Sequence, residues 1–221
     1  AMEVAPYQKY LTNNGVNKEI VVAVIDSGVN TSHEMFKNRI TTDGKGNLVG
    51  FGIDSYSVTL TSNFEDDHGH GSHVSGIICD NTPSNVKILP IKVLDKNNNF
   101  RVSAKVFTAI FQKMLSLKEQ YNYNIVSVNM SLGSNSNAGE DFTNVINDVM
   151  QEYLIGNNIL PVAAAGNDRI ELSSSYYVVP ASCECVVAVS ALKQNGSSYT
   201  FDTSYSNYGN KIDISAPGTK V

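Results

Sequence analysis

Three histidines stand within six residues in the segment Asp66-Asp67-His68-Gly69-His70-Gly71-Ser72-His73-Val74-Ser75-Gly76. Imidazole titrates near neutral pH and can take and return a proton, so a histidine here is a candidate general base. Metal binding is the rival reading. However, His70 and His73 stand three apart with no glutamate of the kind a zinc-protease helix carries. Two further segments could do chemistry. Asp26, in Val24-Ile25-Asp26-Ser27-Gly28-Val29, directly follows an apolar run; an acid in that place either works on a substrate or merely caps a helix. Ala163-Ala164-Ala165-Gly166-Asn167-Asp168 closes another apolar run with small residues that let a ligand approach the backbone. Asn167 adds an amide donor, although Asn and Gly also make ordinary turns.

These residues need elements to position them. The run Ile20-Val21-Val22-Ala23-Val24-Ile25 reads as a strand buried on both faces of a parallel sheet, as do residues 86–94, 124–130 and 159–165. Residues 185–189 and 211–215 supply a fifth and a sixth strand. Between them, Val102, Val106, Ile110, Met114 and Leu117 recur at helical spacing. Phe142, Val145, Ile146, Val149 and Tyr153 form a second stripe, ending near Gly156-Asn157. Strand–helix alternation predicts one α/β domain over residues 1–221, a mainly parallel sheet with helices on both faces. In such a sheet, sites form beyond the carboxyl ends of the strands, where Asp26 and Asn167 fall.

Composition narrows the class. The chain has 221 residues, 42% hydrophobic and 17% charged, as an ordinary globular domain does. Its net charge of −5 argues against nucleic acid, and no apolar run is long enough to span a membrane. No signal peptide is visible, and Ala1-Met2-Glu3 reads as a cloning scar, with any targeting or pro-segment removed. The three cysteines, Cys79, Cys183 and Cys185, are expected to be small buried residues without a disulfide framework. Cys183 and Cys185 sit two apart in a strand-like run and would share a face. No G-x-G-x-x-G or P-loop follows any strand, which sets aside nucleotide binding.

Taken together, the ordered motifs resemble the subtilisin-like (S8) serine proteases. V-I-D-S-G is similar to the family's aspartate motif, H-G-S-H-V-S-G to its histidine motif H-G-T-H-V-A-G, and A-A-A-G-N to its oxyanion segment. Asn129-Met130-Ser131-Leu132-Gly133, the Val179-Pro180-Ala181 segment and Ile214-Ser215-Ala216-Pro217-Gly218 continue in family order. Within the histidine motif, Ser72 replaces threonine and Ser75 replaces alanine.

The resemblance implies a serine endopeptidase. Asp26 would orient the imidazole, His70 would be the general acid/base, and Asn167 would donate to the oxyanion. Ser131, Leu132, Gly133, Ala164, Ala165 and Gly166 would line the cleft and pair an extended polypeptide substrate. Asp168 would lie at the rim of the specificity pocket, favouring Lys or Arg, with Val178 at its base. His68 and His73 would be structural, and Val179-Pro180 would be cis.

The family's nucleophile motif, G-T-S-M-A-x-P, follows the A-P-G turn and does not occur in these residues. The resemblance therefore implies a domain incomplete at its C-terminus and inactive alone. The family helix that opens at the serine covers one face of the sheet. The strands around residues 20–25 and 159–165 are accordingly expected to lack cover, and a propeptide, a C-terminal fragment or a second copy is an expected partner. The alternative is a pseudoprotease that binds peptides without turnover. No cofactor is required; the family's calcium loop has no room after His73, and Asp66, Asp67 and Asp80 leave a cation open. The family habit places the protein outside the cell or on its surface.

Overall fold

Beta-branched and aliphatic side chains make residues 20–26 a strand with no polar face to offer water. The computed structural model, which describes residues 18–136, 139–173 and 175–219, places Ile20–Asp26 (β1) between two parallel neighbours. These are Val86–Lys92 (β4), in the register Ile20↔Val86 to Asp26↔Lys92, and Ile125–Met130 (β5). A strand so enclosed buries both faces, and Val21, Ala23, Val24 and Ile25 are all at most 1% exposed. The expected loss of cover is thus absent over residues 23–25, while Ile20 and Val22 remain half-buried.

Phe51–Asp54 (β2) joins β4 in parallel, and Thr59–Thr61 (β3) turns back antiparallel to β2. The strand order here is β5-β1-β4-β2-β3. Pro90 is tolerated inside β4. Ile88, two residues earlier, exchanges hydrogen bonds with Arg39 and Thr41, so Pro90 turns its donor-less nitrogen to that same side, and pairing with β2 begins only at Ile91.

Helix His70–Asp80 (α1) packs Val74, Ile78 and Cys79 onto Val24, Val29, Phe36, Ile40 and Ile88. Val74 and Ile78 lie one turn apart and so face the sheet together. Helix Ala104–Tyr121 (α2) buries Val106, Ile110, Met114 and Leu117 as the stripe predicts, together with Phe107 and Phe111. Val102 precedes its first turn. Each fully buried Phe contributes about 1.5–3 kcal/mol.

Contacts divide the described chain into two compact units, one reaching to Arg101 and taking in Ala109–Asn129, the other made of Val102–Thr108 and the residues from Met130 onward. In the second unit, Leu160–Ala164 (β7) runs parallel to Val187–Asn195 (β10). β10 continues through a two-residue Gly196-Ser197 turn into Ser198–Phe201 (β11) and pairs in parallel with Ile214–Pro217 (β13). Ser134–Ser136 (β6) pairs antiparallel with Tyr177–Val179 (β9), and Glu171–Leu172 (β8) pairs with Tyr208–Gly209 (β12). On β7 Pro161 and Ala163 are buried, whereas Leu160, on the alternate face, is 48% exposed. The sheet is mixed but mainly parallel, with helices, as the alternating pattern predicts.

Three local expectations are corrected. The strand expected over 185–189 begins only at Val187, and Cys183 and Cys185 occupy turn positions ahead of it. Three successive backbone bonds, from Ser182 to Val178, Cys183 to Pro180 and Val186 to Cys183, curl that segment despite its apolar composition. The strand expected over 211–215 lies instead at Ile214–Pro217. Helix Gly139–Tyr153 (α3) buries Thr143, Ile146 and Met150, with Leu154 next in that series, while Val145 is half exposed. The buried face is one residue, about 100°, around from the expected stripe. All three cysteines are free. The reading of Ala1-Met2-Glu3 lies outside the described residues.

Candidate active site

β1 delivers Asp26 to its carboxyl end, where the chain must turn away and α1 must begin close by. Gly71 makes that approach possible. A Cβ on Gly71 would lie 2.2 Å from the Gly28 carbonyl oxygen and 3.2 Å from the Asp26 Cβ, so only glycine fits in the first turn of α1. His70, the first residue of α1, is thereby set against Asp26.

The His70 Nδ1 to Asp26 Oδ1 distance is 2.7 Å, and the same oxygen accepts the Ser27 backbone N–H at 2.7 Å. Asp26 is fully buried, while the His70 side chain keeps 37% of its surface. A carboxylate only accepts, so the proton belongs on Nδ1, and Nε2 is left with a lone pair. The Asp26 hydrogen bond raises the His70 pKa above its ordinary 6.5, burial opposes it, and the charges of Asp26 and Asp66 add to the rise. The second oxygen of Asp26, Oδ2, is buried without a protein partner. The His68 ring stands edge-on to His70 at 6.4 Å.

Two of the three acids considered as cation ligands, Asp66 and Asp67, are already engaged. Asp66 accepts bonds from Ser27 Oγ, the backbone N–H groups of His68, Gly69 and Ser72, and Ser72 Oγ. Asp67 takes the Lys92 ammonium at 2.5 Å. Among the described residues, no group of three or more His, Cys, Asp or Glu is placed to hold a metal ion.

In the second unit, Ala164 ends β7 and the chain continues through Ala165, Gly166, Asn167 and Asp168. Gly166 has φ +101°, and a Cβ there would meet the Asn207 amide at 2.5 Å. Asn207 explains the loop's shape. Its fully buried side chain donates to the Ala165 carbonyl at 2.9 Å and accepts the N–H groups of Asp168 and Ile170 at 2.9 and 3.0 Å. Asn167 and Asp168 are held exposed.

Ser131, Leu132 and Gly133 lead into β6; a Cβ on Gly133 would touch Val178 at 3.0 Å. Val178 is buried, exchanging bonds with Ser182 through Oγ and backbone, and the Val179–Pro180 bond is cis. The structure thus brings Asp26 and His70 together, and separately Gly133 and Val178.

Two residues with positional roles escaped the sequence reading. Asn207, in Ser206-Asn207-Tyr208-Gly209, looks like any turn asparagine, and its partners lie some forty residues earlier. Ser27 was visible only as part of the aspartate motif. Asp66 carried a signal as an acid beside the histidines, but its engagement by five donors depends on the fold.

Comparison with known proteins bears on the whole chain. The subtilase (peptidase S8) family model matches residues 17–221. A cell wall-associated protease of Bacillus subtilis is 32% identical over 98% of this chain, and the match covers 24% of that relative. The minor extracellular protease Epr of the same organism is 31% identical over 92% of this chain and 27% of its own length. The chain therefore spans about a quarter of these curated relatives. Among solved structures, Sphericase matches with a TM-score of 0.69 at 24% identity, over 96% of this chain and 72% of that one. A lanthipeptide protease matches with a TM-score of 0.69 at 23% identity, over 97% and 61%. No described helix is long and apolar enough to cross a membrane.

Proposed function

Since the chain belongs to the subtilase family, we propose that the protein is a serine endopeptidase whose peptidase domain includes residues 1–221. The 2.7 Å contact between His70 Nδ1 and buried Asp26 carries the reading. His70 Nε2 takes the proton of a serine hydroxyl as that oxygen attacks the scissile carbonyl, and then returns it to the leaving amine. Asp26 holds the ring in the required tautomer and offsets the imidazolium charge. The G-T-S-M-A-x-P pattern that would supply the serine is not among these residues.

Asn167 donates to the oxyanion of the tetrahedral intermediate; a donor of this kind is worth about 10²–10³ in kcat. Ser131, Leu132 and Gly133 on one side, and Ala164, Ala165 and Gly166 on the other, offer backbone groups to an extended polypeptide. The exposed Asp168 carboxylate favours Lys or Arg before the scissile bond. The extracellular and cell-wall names of the relatives support action outside the cell.

The test is hydrolysis of a quenched fluorescent peptide library by the full-length protein. Turnover should be blocked by a serine-directed inhibitor and rise with pH through a midpoint above 6.5, because His70 must be neutral to act. His70→Ala should lower kcat by about 10⁶, the loss known for the corresponding histidine of subtilisin. Peptide binding without turnover would establish the pseudoprotease instead.

A further inference from the structure

A helix that begins at its catalytic residue faces a local problem. Its first N–H groups have no partner inside the helix, and the residue before it, Gly69, has no side chain to cap them. In α1 that work falls to residues outside the helix. The Gly71 N–H donates to Ser27 Oγ at 2.8 Å, and the Ser72 N–H donates to Asp66 Oδ2 at 2.9 Å. Ser27 Oγ in turn donates to Asp66 Oδ1 at 2.8 Å, and Ser72 Oγ donates to Oδ2 at 2.6 Å. Ser72 Oγ also accepts the Asn30 N–H at 2.9 Å. Asp66 is therefore the common anchor of two rungs. One rung runs through Ser27, the residue bonded to Asp26. The other runs through Ser72, two residues after His70.

We propose that Asp66 is a positioning residue for the His70–Asp26 pair. It clamps the exit of β1 to the first turn of α1 and places a second negative charge beside the imidazole. This rests on the reading of His70 as the general base.

The geometry gives Asp66 no spare oxygen, since five donors converge on its two acceptors, and it is half-buried. Those hydrogen bonds outweigh the cost of burial and hold its pKa down at about 2, so it is ionised wherever a peptidase of this kind works. A permanent charge there favours the imidazolium that forms during each proton transfer. The other charged or titratable groups around His70 are few. β1 supplies Asp26, and the loop ahead of α1 supplies His68. β4 supplies Lys92, whose ammonium is taken by Asp67 and the Ser27 and Leu94 carbonyls. The 3-10 turn Glu34–Phe36 brings Glu34 and the neighbouring His33 to α1, with Met35 against Gly76, nearly two turns beyond His70. His73 lies one turn along α1 itself. None of these replaces Asp66 at the helix start.

The experiment uses the full-length protein and two readouts. The His70 ring is titrated by NMR, and peptide hydrolysis is followed against pH. Asp66→Asn should lower the His70 midpoint, move the acid limb of kcat/KM in the same direction, and cut kcat by about ten- to a hundredfold with KM little changed. Asp66→Glu should restore the charge and part of the rate. Ser27→Ala keeps the carboxylate but removes one rung; it should lower kcat without moving the midpoint, and it serves where Asp66→Asn does not fold. An unmoved His70 titration in folded Asp66→Asn overturns the charge role, and an unchanged kcat in Ser27→Ala overturns the clamp. If the wild type hydrolyses nothing, the peptidase reading fails, while the NMR titration still decides whether Asp66 sets the state of His70.

Discussion

The two loops that present functional side chains are built on opposite electrostatic plans. Around His70 the anchor is a charge: Asp66 gathers hydroxyl and backbone donors at the start of α1. Around Asn167 the anchor is neutral: the buried amide of Asn207 ties Ala165, Asp168 and Ile170 together. The difference follows from the chemistry each loop is proposed to support. A base that must accept a proton gains from nearby negative charge. A donor that must stabilise a developing oxyanion is weakened by it, so a neutral amide is the better scaffold beneath that loop, where the neighbouring carboxylate, Asp168, is exposed to water. The same number of backbone groups is fixed in either case, but only the charged plan makes the geometry depend on pH.

The largest effect should come from breaking the neutral anchor. Asn207→Ala removes three side-chain hydrogen bonds and leaves a cavity at a fully buried site. At about 1 kcal/mol for each bond, the loss in stability should be about 3 kcal/mol, read by urea denaturation. Amide exchange at Asp168 and Ile170 should accelerate, while exchange at Gly69 and Ser72 stays as it was. Equal acceleration at both loops would mean that the two anchors are not separate devices.

Much of this architecture was legible, and the limits have physical causes. β1 and β4 announce themselves because strands enclosed in a parallel sheet need apolar residues on both faces, and β5 and β7 are comparably apolar although Val126 and Leu160 lie exposed. The second half of β10 does not. Lys193, Gln194 and Asn195 pair with β11 in an exposed hairpin, where polar residues serve equally well. Cys183 and Cys185 look like strand residues because composition cannot distinguish a buried turn from a buried strand. The face of α3 was misplaced because a threonine, Thr143, occupies a buried position that an apolar stripe would skip. Asp26 and His70 stand out by residue type and neighbours, whereas Asn207 acquires its meaning only from residues far away in the chain.

Acid should separate the two loops by a smaller amount. Asp66 has a depressed pKa of about 2, so its contribution is present above its unfolded value near 3.8 and is lost as pH falls through 2. After allowance for solvent screening, about 1 kcal/mol is at stake. His70 has the opposite sign. Its raised pKa contributes stability that is complete below 6.5 and disappears as pH rises through the folded value. Between pH 4 and pH 2, exchange at Gly69 and Ser72 should therefore lose protection relative to Asp168 and Ile170, after correction for intrinsic rates. A uniform loss at both loops would show that the Asp66 charge does not act locally.

The smallest effect concerns a polar group in the charged region that anchors nothing. Ser75 lies on α1 with its hydroxyl fully buried and no protein partner, where the family histidine motif carries alanine. Nothing in the clamp uses it: Asp66, Ser27 and Ser72 account for the donors at the helix start, and His70 is held from Asp26. An unpaired buried hydroxyl costs about 1–3 kcal/mol, and alanine also has the better helix propensity. Part of that cost is recovered if water reaches the site. Ser75→Ala should accordingly stabilise the protein by about 1 kcal/mol in urea denaturation, with kcat/KM and its pH midpoint unchanged. A stabilised variant with unaltered pH dependence confines the charge-based plan to Asp66 and its two rungs. A destabilised one would mean that Ser75 holds a bonded partner, and the polar network of this loop would then run deeper along α1 than its first turn.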